Sequence, residues 1–164
     1  MPENPERLVE RLRSEGQKTE AFFSALEPEQ WKVRLYADGS QWTVAQLLAH
    51  FVSAEIGNRA LIEQIWKGGS GAPPDFDIDA FNERQVAGMA VDAPQALLAD
   101  FMQRRQETIE LVAGMTPEDL QKVGRNPFLG EAPLEEIVKL VYRHNQIHQR
   151  DVRRALSETS TPAS

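Results

Sequence analysis

Two histidines stand four residues apart in "YRHNQIHQRDVRRAL", residues 142–156, within a chain that has only three histidines and no cysteine. Imidazole is a neutral nitrogen ligand, so a histidine cluster points first to a metal ion. On a helix, residues i and i+4 lie about 6 Å apart on one face and can converge on a single ion. His144 follows Val141 by three and His148 follows His144 by four. Both therefore continue the apolar stripe of Leu134, Ile137, Val138, Val141, Val152 and Ala155. The third histidine, His50, lies in "WTVAQLLAHFVSAE", three residues after Leu47 and four before Ala54, with Gly57 next on that face. All three fall on predicted inward faces of two helices. A third ligand from a facing helix is what an i, i+4 pair needs to complete a metal site inside a bundle.

The plainer alternative is three core histidines. Each would then need its own hydrogen-bond partner to avoid a desolvation cost of about 1–3 kcal/mol. H-x-x-x-H without the glutamate of H-E-x-x-H is not a zincin motif, and a metalloprotease is excluded. Three imidazoles around one ion leave positions open for water or substrate, the layout of a catalytic site. A thiol or water entering such a position would be acidified into a nucleophile. Nitrogen-only ligation suits Zn, Ni, Co, Fe or Cu and does not choose among them. Gln46 and Asp151, each about one turn from a histidine, are candidates to fix an imidazole tautomer; the alternative for both is a polar side chain that only meets solvent. Asp75, Asp77 and Asp79 mimic the start of a calcium loop, but Ala80 at the sixth position and Val86 at the twelfth exclude it. Asn82 and Arg84, in the same stretch, are either substrate contacts or part of a surface cap.

Four long helices and one short one must position these residues. Asn4-Pro5 reads as an N-cap with proline at N1, opening a helix to about Glu27-Pro28. Thr43 with Gln46 reads as a capping box for a helix through about Lys67, which "GGSGAPP" ends. Asp77 or Asp79 caps a short helix over Ala80 to Met89, and Asp92 caps a third long helix, with Pro94 in its first turn, to about Ala113. The last long helix begins at Pro133 and runs to about Leu156. No strand pattern competes, and "WKVRLYADGSQW" with its Asp-Gly reads as a loop or at most a small hairpin. "LEPEQW" and "MTPEDL" each lead into a histidine-bearing helix, a faint internal repeat that suggests two halves related by a pseudo-twofold. The expectation is one domain over residues 1–157 and a disordered polar tail over residues 158–164.

Composition bounds the partners. A hydrophobic fraction of 41% with 26% charged residues is ordinary for a globular domain. A net charge of −7 argues against the broad basic footprint of a nucleic-acid binder. Arg143, Arg150, Arg153 and Arg154 read instead as a solvated helix face near a C-terminus. No stretch approaches the roughly 18 apolar residues of a membrane span. The acidic start lacks a signal-peptide pattern, and the location expected is cytoplasmic.

On four stretches the chain resembles the DinB/YfiT-like four-helix-bundle family: "WTVAQLLAHFVSAE", "FDIDAFNERQVA", "NPFLGEAPLEEIV" and "YRHNQIHQRDVRRAL". The resemblance covers nearly the whole chain. It implies an all-α bundle of up-down-down-up type with a short extra helix between helices two and three. It also implies a divalent-metal triad of His50, His144 and His148. For activity it implies a metal-dependent thiol S-transferase, with a low-molecular-weight thiol as partner, or a small-molecule hydrolase. The alternative class is a non-catalytic bundle that binds a ligand or dimerises. A homodimer is expected by the same analogy, with Trp66 or Phe101 as contacts unless these belong to the core.

Overall fold

The computed structural model describes residues 3–37 and 40–160. Among these, five α-helices and two small β-hairpins follow in the order α1 (Pro5–Ser24), β1 (Arg34–Ala37), β2 (Ser40–Thr43), α2 (Val44–Trp66), α3 (Ile78–Ala87), α4 (Pro94–Ala113), β3 (Val123–Asn126), β4 (Gly130–Pro133) and α5 (Leu134–Ser160). Single 3-10 turns at Gln30–Lys32 and Asp119–Gln121 precede the hairpins. Among the described residues no helix is long and apolar enough to cross a membrane.

Local chemistry sets most helix starts. Asn4 Oδ1 accepts from the Glu6 amide, with Pro5 in the first turn. The Thr43 hydroxyl accepts from the Gln46 amide while Gln46 Oε1 accepts from the Thr43 amide, a complete capping box. Asp77 caps α3 through the Ala80 amide. At α4 the expectation fails: Ala93, not Asp92, is the N-cap, and an alanine has no side-chain oxygen to accept from the first-turn amides. At the other end α5 continues to Ser160, past Leu156.

The stretch read as a loop or at most a small hairpin forms a hairpin, and a second, unexpected one stands before α5. β1 and β2 pair antiparallel, Arg34 opposite Thr43 and Leu35 opposite Trp42; the Asp38-Gly39 turn lies outside the described residues. β3 and β4 pair Val123 with Pro133 and Asn126 with Gly130. Strands this short carry no alternation to read, and an isolated hairpin is marginal in water. Here one face rests on helices. The Cβ that any other residue would place at Gly124 meets the Ile65 side chain, so only glycine lets β3 approach α2.

The order helix, 3-10 turn, hairpin, helix occurs twice, once in each half of the chain. Around the bundle α1 and α2 each pack on both α4 and α5, so the helices consecutive within a half lie diagonally. The core is two apolar blocks. One gathers Phe23, Trp31, Trp42, Phe51, Phe101 and Val152; the other Leu12, Ile62, Ile109, Ile137, Val138 and Val141. Phe101 is fully buried in the first block and is no dimer contact, while Trp66 is half-buried against the second.

A polar belt separates the blocks and crosses all four long helices. On α4, the Arg105 guanidinium donates to Glu55 Oε1 at 3.0 Å and 2.5 Å, to the Leu12 carbonyl at 3.0 Å, and to Asn145 Oδ1. The Thr108 hydroxyl donates to the other Glu55 oxygen. Arg105 is 1% exposed and Glu55 2%. Gly16 makes room for the arginine, since a Cβ there would sit 3.2 Å from Arg105 Cγ. Gln149 on α5 donates to the Thr19 hydroxyl on α1 at 2.7 Å, which ties a second pair of helices at the same level.

Candidate metal centre

The three histidines occupy this belt. His50 comes from α2, His144 and His148 from α5, and one ring nitrogen of each lies within 4.8 Å of the others. His50 Nε2 and His144 Nε2 are 3.1 Å apart. The ring centroids are separated by 4.9 Å (His50–His144), 5.8 Å (His50–His148) and 4.5 Å (His144–His148). Ligand nitrogens at zinc-like bond lengths in a tetrahedron stand about 3.3 Å apart, close to the His50–His144 separation. The donor set fits a borderline divalent metal, and the three-histidine group could hold one.

Aromatic and apolar groups back the cluster. The Trp42 ring lies 4.9 Å from His50, and Phe51 lies 5.8 Å from His144 and 6.1 Å from His148. His50 and His148 are buried and His144 half-buried. Asp151 Oδ2 is 3.1 Å from His148 Nδ1. An ionised carboxylate only accepts, so this contact favours the Nδ1–H tautomer, in which Nε2 is the nitrogen suited to ligation. Gln46 plays no such part: its side chain belongs to the capping box of α2.

A cavity of about 310 Å³ opens on His50 and His144. Helix α2 supplies one wall with Ala54, Gly57 and Leu61, small enough to leave the space. The connection from α2 to α3 supplies Pro73 and Phe76, and α3 supplies Phe81 and Asn82. That connection is fixed to the second hairpin: the Ala72 amide donates to the Arg125 carbonyl and the Arg125 amide to the Ser70 carbonyl. Gly71 between them has φ +97, and a Cβ there would run into the Arg125 backbone. Asn126 and Phe128 of the hairpin complete the rim, shaped by Asn126 Oδ1 accepting from the Phe128 and Leu129 amides.

Of the two residues singled out in "FDIDAFNERQVA", the structure brings one to the site. Asn82 is 4% exposed and lines the cavity; Arg84 is exposed and stands away from it. Sequence reasoning missed the Arg105–Glu55 pair. Its signal was present, since each charge interrupts an apolar stripe: Arg105 between Phe101 and Ile109, Glu55 between Val52 and Ile62.

Comparison with known proteins agrees with this architecture. YfiT from Bacillus subtilis, described as a probable metal-dependent hydrolase with an unusual four-helix bundle topology, superposes with a TM-score of 0.75 at 16% identity, over 96% of this chain and 89% of that one. A mycothiol-dependent maleylpyruvate isomerase superposes with a TM-score of 0.71 at 15% identity, over 92% of this chain but 61% of that one. The colibactin self-resistance protein ClbS, solved in complex with double-stranded DNA, gives 0.69 at 15% identity over 99% of each chain. At these identities the likeness is one of fold. The sequence has no significant match among proteins of curated function. The DinB superfamily profile matches residues 11–152, a span that takes in all three histidines and both hairpins, and the chain belongs to that superfamily.

Proposed function

We propose that this protein is a divalent-metal-dependent enzyme acting on a small molecule, by hydrolysis or by thiol transfer, with His50, His144 and His148 as the metal ligands. The observation that carries the reading is the convergence of the three ring nitrogens, with two of the histidines, His50 and His144, lining a cavity. A core histidine needs one partner; three that share one locus beside open space suit an ion with room for a substrate. A divalent ion there supplies Lewis acidity that lowers the pKa of a water or thiol. The chain's own residues do the rest. Asp151 holds the His148 ring by its Nδ1 proton, and Trp42 and Phe51 keep bulk water from the back of the cluster. No carboxylate or amine lines the cavity, so proton removal from the nucleophile has no side-chain base there among the described residues. YfiT's description as a probable metal-dependent hydrolase supports the hydrolytic branch, and the mycothiol-dependent isomerase supports the thiol branch. The net charge of −7 keeps DNA out of the proposal.

Zinc titration of the wild type and of the three single His→Ala variants tests the reading. The wild type should bind one equivalent and gain melting temperature through binding to the folded state. Each variant should lose most of the affinity, because two imidazoles rarely hold a divalent ion against water. Equal responses in all four proteins would sink the shared site and favour the non-catalytic bundle.

A further inference from the structure

The cavity wall holds an unsatisfied polar group that the histidine site does not use. Asn82 on α3 is 4% exposed, and its amide nitrogen is enclosed with no hydrogen-bond partner among the described residues. Buried amides of this kind nearly always have partners, so one left over in a cavity wall marks a place where a ligand atom belongs. Two neighbouring polar side chains do not take that role. Asn126 Oδ1 is taken up by the hairpin turn, and Gln64 is bonded to both the amide and the carbonyl of Gly71. Ser53 and Asn58 on α2 also line the space, but most of the wall is apolar, with Pro73, Phe76, Phe81 and Phe128 on it, and no lysine, arginine, aspartate or glutamate lines it. Away from the histidines and the ion they would hold, a charged occupant would give up its hydration with no counter-ion. The volume, about 310 Å³, lies at the small end of the range for ligand sites.

We infer that this cavity is a substrate pocket for small, uncharged, largely apolar molecules bearing one hydrogen-bond acceptor of carbonyl type, and that Asn82 donates to that acceptor. The inference rests on reading the cavity as the substrate site and narrows it. A low-molecular-weight thiol carrying carboxylates or an ammonium group is disfavoured by the same wall. Phe76 and Phe128 close on the apolar body while Asn82 fixes which end carries the acceptor. Asn82 is thereby a specificity-determining residue.

The test compares acetophenone with cumene, its counterpart in shape without an acceptor, and with benzoate and benzylamine. Binding is measured by NMR on the full-length protein freed of metal, in wild type and Asn82→Leu. Acetophenone should bind with millimolar affinity or better and shift resonances of the cavity residues, including the Asn82 side-chain amide. Cumene should leave that amide signal in place. The substitution should weaken acetophenone about tenfold more than it weakens cumene, the loss of one neutral hydrogen bond. Benzoate and benzylamine should bind at least about tenfold more weakly than acetophenone, because neither charge finds a partner. The inference is overturned if acetophenone fails to bind, if the substitution weakens both neutral probes alike, or if a charged probe binds as tightly. The Asn82 amide signal in the wild type decides the matter if Asn82→Leu does not fold: no shift with acetophenone also overturns it. Zinc titration run in parallel reads the histidines alone. Normal zinc binding with failed acetophenone binding removes this inference and leaves the metal reading intact.

Discussion

His148 Nδ1 lies 3.1 Å from Asp151 Oδ2, one helical turn along α5. The carboxylate fixes both the tautomer and the ring angle of His148, and such outer partners carry about 10–100-fold in metal affinity. Asp151→Ala should therefore lower zinc affinity within that range while the circular-dichroism spectrum stays that of a helical bundle. A competition titration with a coloured chelator reads it. Unchanged affinity would mean that the carboxylate only solvates the helix face.

The Arg105–Glu55 pair predicts a large stability effect away from the histidines. Removing one member leaves an uncompensated buried charge, a loss of about 3–5 kcal/mol. Glu55→Ala should lower the urea midpoint accordingly. Exchanging both residues for methionine should cost less than either single change, since no charge is then stranded and only the neutral partners, the Leu12 carbonyl, Asn145 and Thr108, lose a bond. A double-variant midpoint at or below that of Glu55→Ala would contradict this account.

Gly71 predicts an effect on the cavity wall. Its φ of +97 and the Arg125 backbone in front of it leave no place for a side chain. Gly71→Ala should cost about 1–3 kcal/mol. The loss should appear locally, as faster hydrogen exchange at the Ala72 and Arg125 amides that cross-link the loop to the hairpin.

Asp119 predicts a pH dependence. The Thr116 amide donates to its carboxylate at 2.9 Å, and with help from the Trp66 side chain, the Thr116 hydroxyl and Lys122, against the opposing effect of burial, it brings the pKa down from 3.8 to about 2. A folded-state pKa below the unfolded one means stability that is fully present above about pH 4 and lost as pH falls toward 2. Asp119→Asn should flatten the stability profile between pH 4 and pH 2 and leave its slope at pH 6 to 8 untouched. Acid titration followed by fluorescence would show an unaltered slope if the group contributes nothing.

The helices were legible because their caps are local chemistry: Asn4, Thr43 with Gln46, and Asp77 each act within three residues. The histidine cluster was legible because a polar residue at core spacing on an apolar stripe is unusual, and because two of the three lie on one helix. The second hairpin was not, since Gly124, Gly130 and Pro133 are weak strand formers and the pairing depends on contact with Ile65. The position of Asn82 was also hidden. Its place in the cavity depends on how the α2–α3 connection is fastened to β3, a contact between residues more than fifty positions apart in sequence.

The diagonal placement of consecutive helices has a consequence for how such a chain can be divided. The principal helix contacts run between the halves, α1 and α2 against α4 and α5, while each half keeps its own 3-10 turn and hairpin. A cut between α3 and α4 would therefore separate two fragments that each hold a complete set of elements but no four-helix core, and they would have to meet before either could bury its apolar stripe. The single chain has the architecture of an interlocked pair of half-domains tethered in tandem. The histidines are divided along the same seam, His50 in one half and His144 with His148 in the other, so the centre forms only when the two halves interlock.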